Sequence, residues 1–353
     1  MMTETGQNKG TNKITVCNER ACVTTDLNGG AITDFHLEGD RINPLSFAFS
    51  KEQMPPNNKA GAPYQGHFLC LGRWGEPSEG EKNAGIPHHG QVANMLWQRD
   101  TTTNERTLHM RADSPLEGLQ VERTLALDVE NALYGVEEKV TNIRSLGRLY
   151  NMVQHPTLSS PFLDGATVVA CNGTVGFDQS GRTPAEKDPL HWPVGTDENG
   201  HSFGLASPGR PYNSVFSFIV DKRAEYGWIS AFSPRYRLLL GYLWRRRDYP
   251  WIHLWQHWEA GEIRYRGIEF GTAGIHRPFK NILETGMRLF GEKTVEYIDA
   301  GETVSRRYLS LLFKTEKDFN GMAPFTIENG GGNIVLNLPS KRIHLKTIFK
   351  DFL

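Results

Sequence analysis

The sequence has few cysteines and almost no net charge. Its 353 residues include four cysteines, and 39 Lys and Arg stand against 40 Asp and Glu. Four scattered cysteines are too few for a disulfide-rich scaffold. We therefore expect free, partly buried thiols, although Cys17 and Cys22 lie on neighbouring β-like runs. The balanced charge does not favour nucleic acid or an anionic membrane as a partner.

Long apolar runs are also missing. No run approaches the ~20 residues that cross a bilayer. The first dozen residues are polar and lack the apolar segment of a signal peptide. We therefore expect a cytoplasmic protein with no membrane partner. The 36 glycines and 19 prolines, with 38% apolar residues, indicate a globular chain that is rich in turns.

Helical periodicity is nearly absent, because no stretch gives three clean turns of apolar residues at helical spacing. Short apolar runs instead recur at the spacing of a sandwich or barrel, which predicts an all-β fold. We predict a disordered tail over residues 1–12, a single domain over 13–319, and a C-terminal hairpin or tail over 320–353. Residues 175–213, rich in Pro, Gly, His and Asp, are expected to form a long loop.

The sequence has no Walker loop, no GxGxxG after a strand and no GxSxG, so no phosphate-binding or nucleophile motif emerges. The stretch over residues 264–276 instead predicts a short β-strand followed by a glycine-rich turn. Glu269 lies there between Ile268 and Phe270. If these two face a core, Glu269 faces the other way. Since Gly271 lets a ligand come close, Glu269 is a candidate general base, although a solvated outer-face Glu remains the alternative.

Three earlier polar clusters accompany it. Arg73, beside Trp74, offers a fixed fork of donors to ligand hydroxyls. His88 and His89 are adjacent in a Pro/Gly loop, and on an extended chain only one of them would enter a given site. His155 precedes a proline, which holds its backbone extended. A histidine at a strand end can transfer a proton near neutrality, or it can simply bond its own turn.

The segment around Trp255 allows two interpretations. His253 and His257 have the i, i+4 spacing of zinc ligands on a helix, but the supporting carboxylate is missing. The same residues alternate like an aromatic-rich strand, and we favour the strand with no metal. Trp255 then presents a ring on which the C–H face of a pyranose can pack, unless it is simply a core aromatic.

Taken in order, these motifs resemble the aldose 1-epimerase family, the galactose mutarotase-like proteins. The resemblance spans about residues 13–314. Two features depart from it. Gln91 follows His89-Gly90 where the family often has a second glycine, and we find no counterpart of the aspartate that commonly contacts the sugar. The matching motifs are Gly29 to Phe35, Asn43 to Leu45, Gly72-Arg73-Trp74, His89-Gly90, His155-Pro156, Ile268-Glu269-Phe270 and Asp299 to Thr303.

The resemblance implies a large antiparallel β-sandwich with one open carbohydrate cleft and a metal-free, cofactor-free mutarotase. Glu269 would be the base that removes the anomeric proton, and His155 the acid that protonates the ring oxygen. Arg73 and His89 would hold the ring and hydroxyl oxygens of the substrate, a free aldose. The aromatic-rich strand adds Trp255 as a further substrate-binding candidate. The protein would be a monomer or a homodimer.

Three other functions stay open at this stage. A sugar-binding protein without turnover would keep the cleft, since fold does not fix function. A polysaccharide hydrolase or lyase would use a related sandwich, but a hydrolase needs two carboxyl groups and only Glu269 is evident. A sugar-phosphate mutarotase would recruit Arg245–Arg247 or Arg73.

Overall fold

The computed structural model describes residues 12–100, 105–180, 186–322, 324–338 and 341–353. Apart from Asn12, the tail predicted over residues 1–12 lies outside the described residues. Two short α-helices accompany the strands, α1 (Glu79–Asn83) and α2 (Phe279–Glu284), with 3-10 turns at Pro56–Asn58, Val92–Asn94 and Asn329–Gly331.

Antiparallel strands make up most of the described chain. In chain order they are β1 Lys13–Cys17, β2 Ala21–Asp26, β3 Ala31–Leu37, β4 His67–Leu71, β5 Gln98–Arg99, β6 Thr107–Ser114, β7 Leu119–Leu127, β8 Leu133–Asn142, β9 Arg148–Tyr150, β10 Met152–Ser159, β11 Val168–Cys171, β12 Gly173–Asp178, β13 Leu190–His191, β14 Val194–Thr196, β15 Ser202–Gly204, β16 Ser214–Val220, β17 Tyr226–Ser233, β18 Leu238–Arg245, β19 Trp251–Glu259, β20 Glu262–Gly271, β21 Arg288–Leu289, β22 Glu292–Lys293, β23 Glu296–Ile298, β24 Thr303–Lys314, β25 Phe325–Glu328, β26 Asn333–Asn337 and β27 Arg342–Lys346.

Two large sheets pack face to face. The first has ten strands in the order β1-β2-β3-β4-β10-β20-β19-β16-β12-β13, and the second has eight in the order β11-β17-β18-β24-β8-β7-β6-β5. The strand pairs in both sheets are antiparallel. The prediction of an all-β antiparallel sandwich is therefore confirmed. Neither described helix is long or apolar enough to cross a bilayer.

Some strands are buried on both faces, because each sheet has a second layer over part of its outer side. In β18 the side chains of Leu240, Tyr242 and Trp244 enter the core between the sheets. Leu239 and Leu243 point the opposite way and pack under the C-terminal segment. There β25, β26 and β27 form a three-stranded sheet. This explains why the sequence of β18 is continuously apolar instead of alternating between apolar and polar residues.

Two local expectations were wrong. Cys17 and Cys22 form a disulfide, because the β1–β2 register makes them direct cross-strand partners with Cα atoms 4.2 Å apart. Composition does not reveal such a register. Cys70 and Cys171 are free and buried, as expected. The segment 175–213 is not one long loop, since β12 to β15 lie within or overlap it.

A layer of buried polar groups lies inside the sandwich, behind the outer face of β10. Arg123 and Glu138 form an ion pair with side chains that are 1% and 0% exposed. Glu138 Oε2 accepts a hydrogen bond of 2.5 Å from the Gln154 amide, and Gln154 Oε1 lies 3.0 Å from His67 Nε2. The network thus fixes the residue that directly precedes His155.

We predict that Arg123→Leu lowers the free energy of unfolding by about 3–5 kcal/mol, because it leaves the Glu138 carboxylate buried without its cation. The double variant Arg123→Leu/Glu138→Leu should recover much of this loss. Denaturant unfolding measures both. Arg223→Leu, which removes an exposed partner of Asp221, serves as the control and should change stability little. Equal losses in the single and the double variant would contradict a dominant role for the unpaired charge.

Candidate active site

A cavity of about 390 Å³ opens on the outer face of the ten-stranded sheet. Strands β4, β10, β16, β19 and β20 form its base, and the connection between β3 and β4 covers one side. Aromatic side chains, four histidines and one carboxylate dominate its lining. The lining residues are Phe47, Phe49, Gln53, Met54, Pro55, Pro56, Tyr64, Phe68, Trp74, His88, His89, His155, Val215, Trp255, Glu269 and His276.

Glu269 lies at the base of the cavity, on β20. Its neighbours Ile268 and Phe270 enter the core between the sheets, so alternation turns Glu269 to the outer face, as the sequence pattern predicts. The carboxylate has room because residue 267, two positions earlier on the same face of the strand, is a glycine. A Cβ there would lie 2.5 Å from Glu269 Oε1.

His155 reaches the same point from β10, the strand paired with β20. Its Nε2 lies 3.1 Å from Glu269 Oε1. The imidazole stacks on Phe68, with ring centroids 4.3 Å apart. Its Nδ1 lies 3.0 Å from the Thr157 hydroxyl oxygen, while that hydroxyl donates to the His155 carbonyl. The hydroxyl oxygen therefore accepts from Nδ1–H, and the neutral ring presents an unprotonated Nε2 to Glu269.

Burial sets the charge state of this pair. Glu269 is 1% exposed, and burial raises the pKa of its carboxyl well above the usual value. The nearby Trp74 indole N–H opposes that rise, but no hydrogen bond of regular geometry joins them, and Glu269 Oε2 has no partner. Burial also lowers the pKa of His155 to about 3. Since burial disfavours net charge, the pair holds one proton at neutral pH.

His89 lies beside this pair, with its ring centroid 5.4 Å from that of His155. The Gly75 amide donates to His89 Nδ1 over 3.1 Å. The neutral ring therefore carries its proton on Nε2 and acts as a hydrogen-bond donor there. Burial lowers the pKa of His89 well below its usual value.

His88 also lines the cavity, so the expectation that only one of the two adjacent histidines would enter a given site was wrong. His89 has a φ of 61°, in the left-handed region, and the following Gly90 has a φ of 87°. This turn brings both rings to one side, with centroids 4.1 Å apart. Burial lowers the pKa of His88 to about 4.

His276, on the loop after β20, completes a cluster of three imidazoles. One ring nitrogen from each of His88, His89 and His276 lies within 4.8 Å of the other two. Burial lowers the pKa of His276 to about 3, so all three rings are neutral at pH 7. Such a set can in principle hold a transition metal. However, the Gly75 amide occupies His89 Nδ1 and leaves a protonated Nε2, which suits an oxygen acceptor better than a cation.

His253 and His257 are too far apart along their strand to share the zinc site that helical spacing would allow. They lie on β19, where four residues span about 13 Å. His253 is directly opposite Glu269 on the neighbouring strand. Its Nδ1 lies 2.8 Å from the Ser217 hydroxyl, and its ring packs 4.1 Å from Trp74. The strand interpretation of this segment is therefore confirmed, and His253 supports the wall behind Glu269.

Comparison with known proteins finds likeness in structure alone. No protein-family model matches the sequence, and no curated protein matches it. A galactose mutarotase related enzyme from Lactobacillus acidophilus is 12% identical, with a TM-score of 0.60 over 86% of this chain and 98% of that one. A galactose mutarotase-like protein from Clostridium acetobutylicum is 13% identical, with a TM-score of 0.60 over 87% and 96%. A candidate aldose 1-epimerase from Klebsiella pneumoniae is 14% identical, with a TM-score of 0.60 over 88% and 82%.

The chain has the galactose mutarotase-like fold. The fold predicted from the motifs is thereby confirmed. At these identities the likeness concerns the fold alone, so the roles of individual residues rest on the geometry of the cavity.

Within this galactose mutarotase-like fold, Arg73 is the one predicted site residue that does not line the cavity. Its side chain is 2% exposed and forms an ion pair with Glu81 of α1. Its guanidinium lies 3.9 Å from the centre of the Phe279 ring. The adjacent Trp74, and not Arg73, lines the cavity.

Trp255 does line the cavity, on the side away from the three-imidazole cluster. Its ring centroid lies 5.9 Å from that of His155 and 6.2 Å from that of Phe49. Sequence reasoning missed His88, His276 and Trp74 as cavity residues. His276 ends the stretch that contains Glu269, and Trp74 belongs to the Arg73 motif, so their proximity in sequence was the available signal.

We predict that Glu269→Gln stabilises the protein increasingly as pH rises from 5 to 8. In the unfolded chain Glu269 ionises near its usual pKa, whereas the folded site keeps it protonated, so wild-type stability falls as pH rises above about 4.5. Gln cannot ionise and preserves a donor toward His155. Each unit of the raised pKa corresponds to ~1.4 kcal/mol.

Urea unfolding of both proteins at several pH values measures this difference. Exposed Glu130→Gln is the matched control and should show no such trend. A difference between wild type and Glu269→Gln that stays constant with pH would contradict the raised pKa.

Proposed function

We propose that this protein is a mutarotase that interconverts the α and β anomers of a free aldose. The proposal rests chiefly on one observation, the 3.1 Å contact between a buried carboxyl group and a buried imidazole at the base of the cavity. The two oxygens of a cyclic hemiacetal that change protonation are bonded to the same carbon. An acid and a base at hydrogen-bond distance from each other can therefore reach both at once.

For the reaction to start, the proton that the pair shares must reside on His155. Transfer along the contact with Glu269 gives a carboxylate and an imidazolium, and sugar hydroxyls that bond to the carboxylate favour this form. Glu269 then removes the proton from the anomeric hydroxyl. His155 protonates the ring oxygen as the bond between that oxygen and the anomeric carbon breaks. The aldehyde rotates about its bond to C2 and closes with the two proton transfers reversed.

Neighbouring residues would hold the sugar. His89 donates from Nε2 to a hydroxyl oxygen of the sugar, and Trp255 offers a ring face for the C–H groups of a pyranose. Glu269 Oε2, which has no hydrogen-bond partner, is available to the anomeric hydroxyl. We assign Arg73 no contact with substrate, because it does not line the cavity and its Nη2 is paired with Glu81.

We predict that Glu269→Gln and His155→Ala each lower kcat by ~10²–10⁴-fold, the typical contribution of a positioned acid or base. NMR exchange spectroscopy on equilibrium mixtures of free aldoses measures the rate. His257→Ala changes a histidine on β19 that does not line the cavity, and it should leave the rate unchanged. Full activity in a folded Glu269→Gln protein would remove Glu269 from the mechanism.

The pH dependence offers a second test. Because burial lowers the pKa of His155 to about 3, a second proton enters the pair only in strong acid. We predict that kcat/KM stays level from pH 7 to pH 5 and falls only as pH approaches 4 and below. A loss of activity centred near 6.5, the ordinary pKa of histidine, would show that the imidazole titrates freely and would contradict a shared proton.

The open alternatives receive less support from the cavity. Glu269 is the only carboxylate among the described lining residues, whereas a glycoside hydrolase needs two. The same lining contains no Lys or Arg for a sugar phosphate. Arg245 and Arg246 are paired with Glu225 and Glu292 outside it. Sugar binding without anomer exchange would identify a protein that keeps the cleft for binding alone.

A further inference from the structure

The cavity has a polar side and an apolar side, with the Glu269–His155 pair between them. On one side of His155 lies His89, at 5.4 Å between ring centroids, together with the other two imidazoles of the three-histidine cluster. On the other side lies Trp255, at 5.9 Å. Phe47 and Phe49 pack around Trp255, at 6.1 and 6.2 Å.

Most of the few polar groups near the apolar side are already engaged. Gln53 Oε1 accepts a hydrogen bond of 2.9 Å from the Ser50 amide, and its Nε2 lies 3.5 Å from the Tyr265 hydroxyl. The Tyr64 hydroxyl donates to the His88 carbonyl over 2.5 Å and accepts from the Asn58 amide. Apart from the Trp255 indole N–H and one N–H of the Gln53 amide, the described lining on this side offers a ligand hydroxyl only aromatic and aliphatic groups.

This asymmetry orients a pyranose. The anomeric carbon must lie at the Glu269–His155 pair, and in a pyranose this carbon separates C2 from the ring oxygen, C5 and C6. The three-histidine cluster can bond hydroxyls on C2 and its neighbour. The C5–C6 end then lies against Phe47, Phe49 and Trp255. Buried hydroxyls without partners are unfavourable, whereas an apolar group is favourable there.

From this arrangement we infer that the preferred substrate is a neutral aldopyranose with an apolar group in place of the C6 hydroxyl, a 6-deoxyhexose. This inference rests on the proposed mutarotase function for the position of the anomeric carbon. The absence of Lys and Arg from the described lining fits the same class, since a 6-phosphate would need a cation at the C6 end.

The test compares 6-deoxy-D-glucose and 6-deoxy-D-galactose with D-glucose, D-galactose and their 6-phosphates. Dissociation constants come from the change in tryptophan fluorescence, because Trp74 and Trp255 line the cavity. Anomer exchange is measured separately by NMR. The 6-deoxy sugars should bind and exchange more efficiently than their parents, by roughly 10–100-fold in kcat/KM, the range in which an apolar pocket rejects an added hydroxyl.

The two readouts separate the two proposals. Tighter binding of the 6-deoxy sugars with no anomer exchange would support the substrate class and overturn the mutarotase function. Equal or tighter binding of the parent hexoses or the 6-phosphates would overturn the substrate class, whatever the exchange rates. Preferred exchange of the 6-deoxy sugars would support both.

A substitution tests the apolar side directly. Phe49→Asn supplies a hydrogen-bonding group there and should reduce the preference for 6-deoxy sugars at least fivefold, mainly by improving the parent hexoses. Phe290→Asn is the matched control, since Phe290 is also half-buried but packs in a separate cluster with Phe177. An unchanged preference in folded Phe49→Asn would overturn the assignment of C6 to this side, and Met54→Gln repeats the test at a second position.

Discussion

The contact between Glu269 and His155 is the interaction on which the site depends. Both groups are buried, and burial makes charge unfavourable on each of them. One shared proton satisfies the pair, because a protonated carboxyl can donate to the unprotonated Nε2 of the ring. The bond from His155 Nδ1 to the Thr157 hydroxyl fixes this tautomer. The hydroxyl on the far side of the ring therefore keeps the nitrogen that faces the carboxyl unprotonated.

The sandwich supplies the rigidity that such a pair requires. Strand β10 is buried along its whole length, with the Arg123–Glu138 ion pair and Gln154 on its inner side and His155 on its outer side. Strand β20 alternates in the same way around Glu269. Because adjacent antiparallel strands hold their side chains in register, the acid and the base are set by the sheet itself rather than by loops. Loops supply the three-histidine cluster and part of the cavity wall.

The sequence allowed the fold class and several of the cavity residues to be predicted. Recurring short apolar runs predicted the all-β fold, and strand alternation predicted the outward direction of Glu269. The family motifs pointed to His155 and His89 and the aromatic-rich strand to Trp255, and all three line the cavity. Prediction from sequence failed where a contact depended on a single backbone angle or on the register of one strand pair. The left-handed φ of His89 brought His88 into the cavity, and the β1–β2 register paired Cys17 with Cys22. Neither leaves a clear signal in composition.

What the sequence determined by itself was therefore the set of strands and the faces on which their side chains lie, because alternation along a strand is a local property. Tertiary structure decided which of those side chains meet. His276 and His88 are 188 positions apart and still share a cluster, whereas Arg73 is adjacent to Trp74 yet is held outside the cavity by Glu81. Strand pairing and packing across the sheet set these contacts, and they depend on residues far apart in the chain.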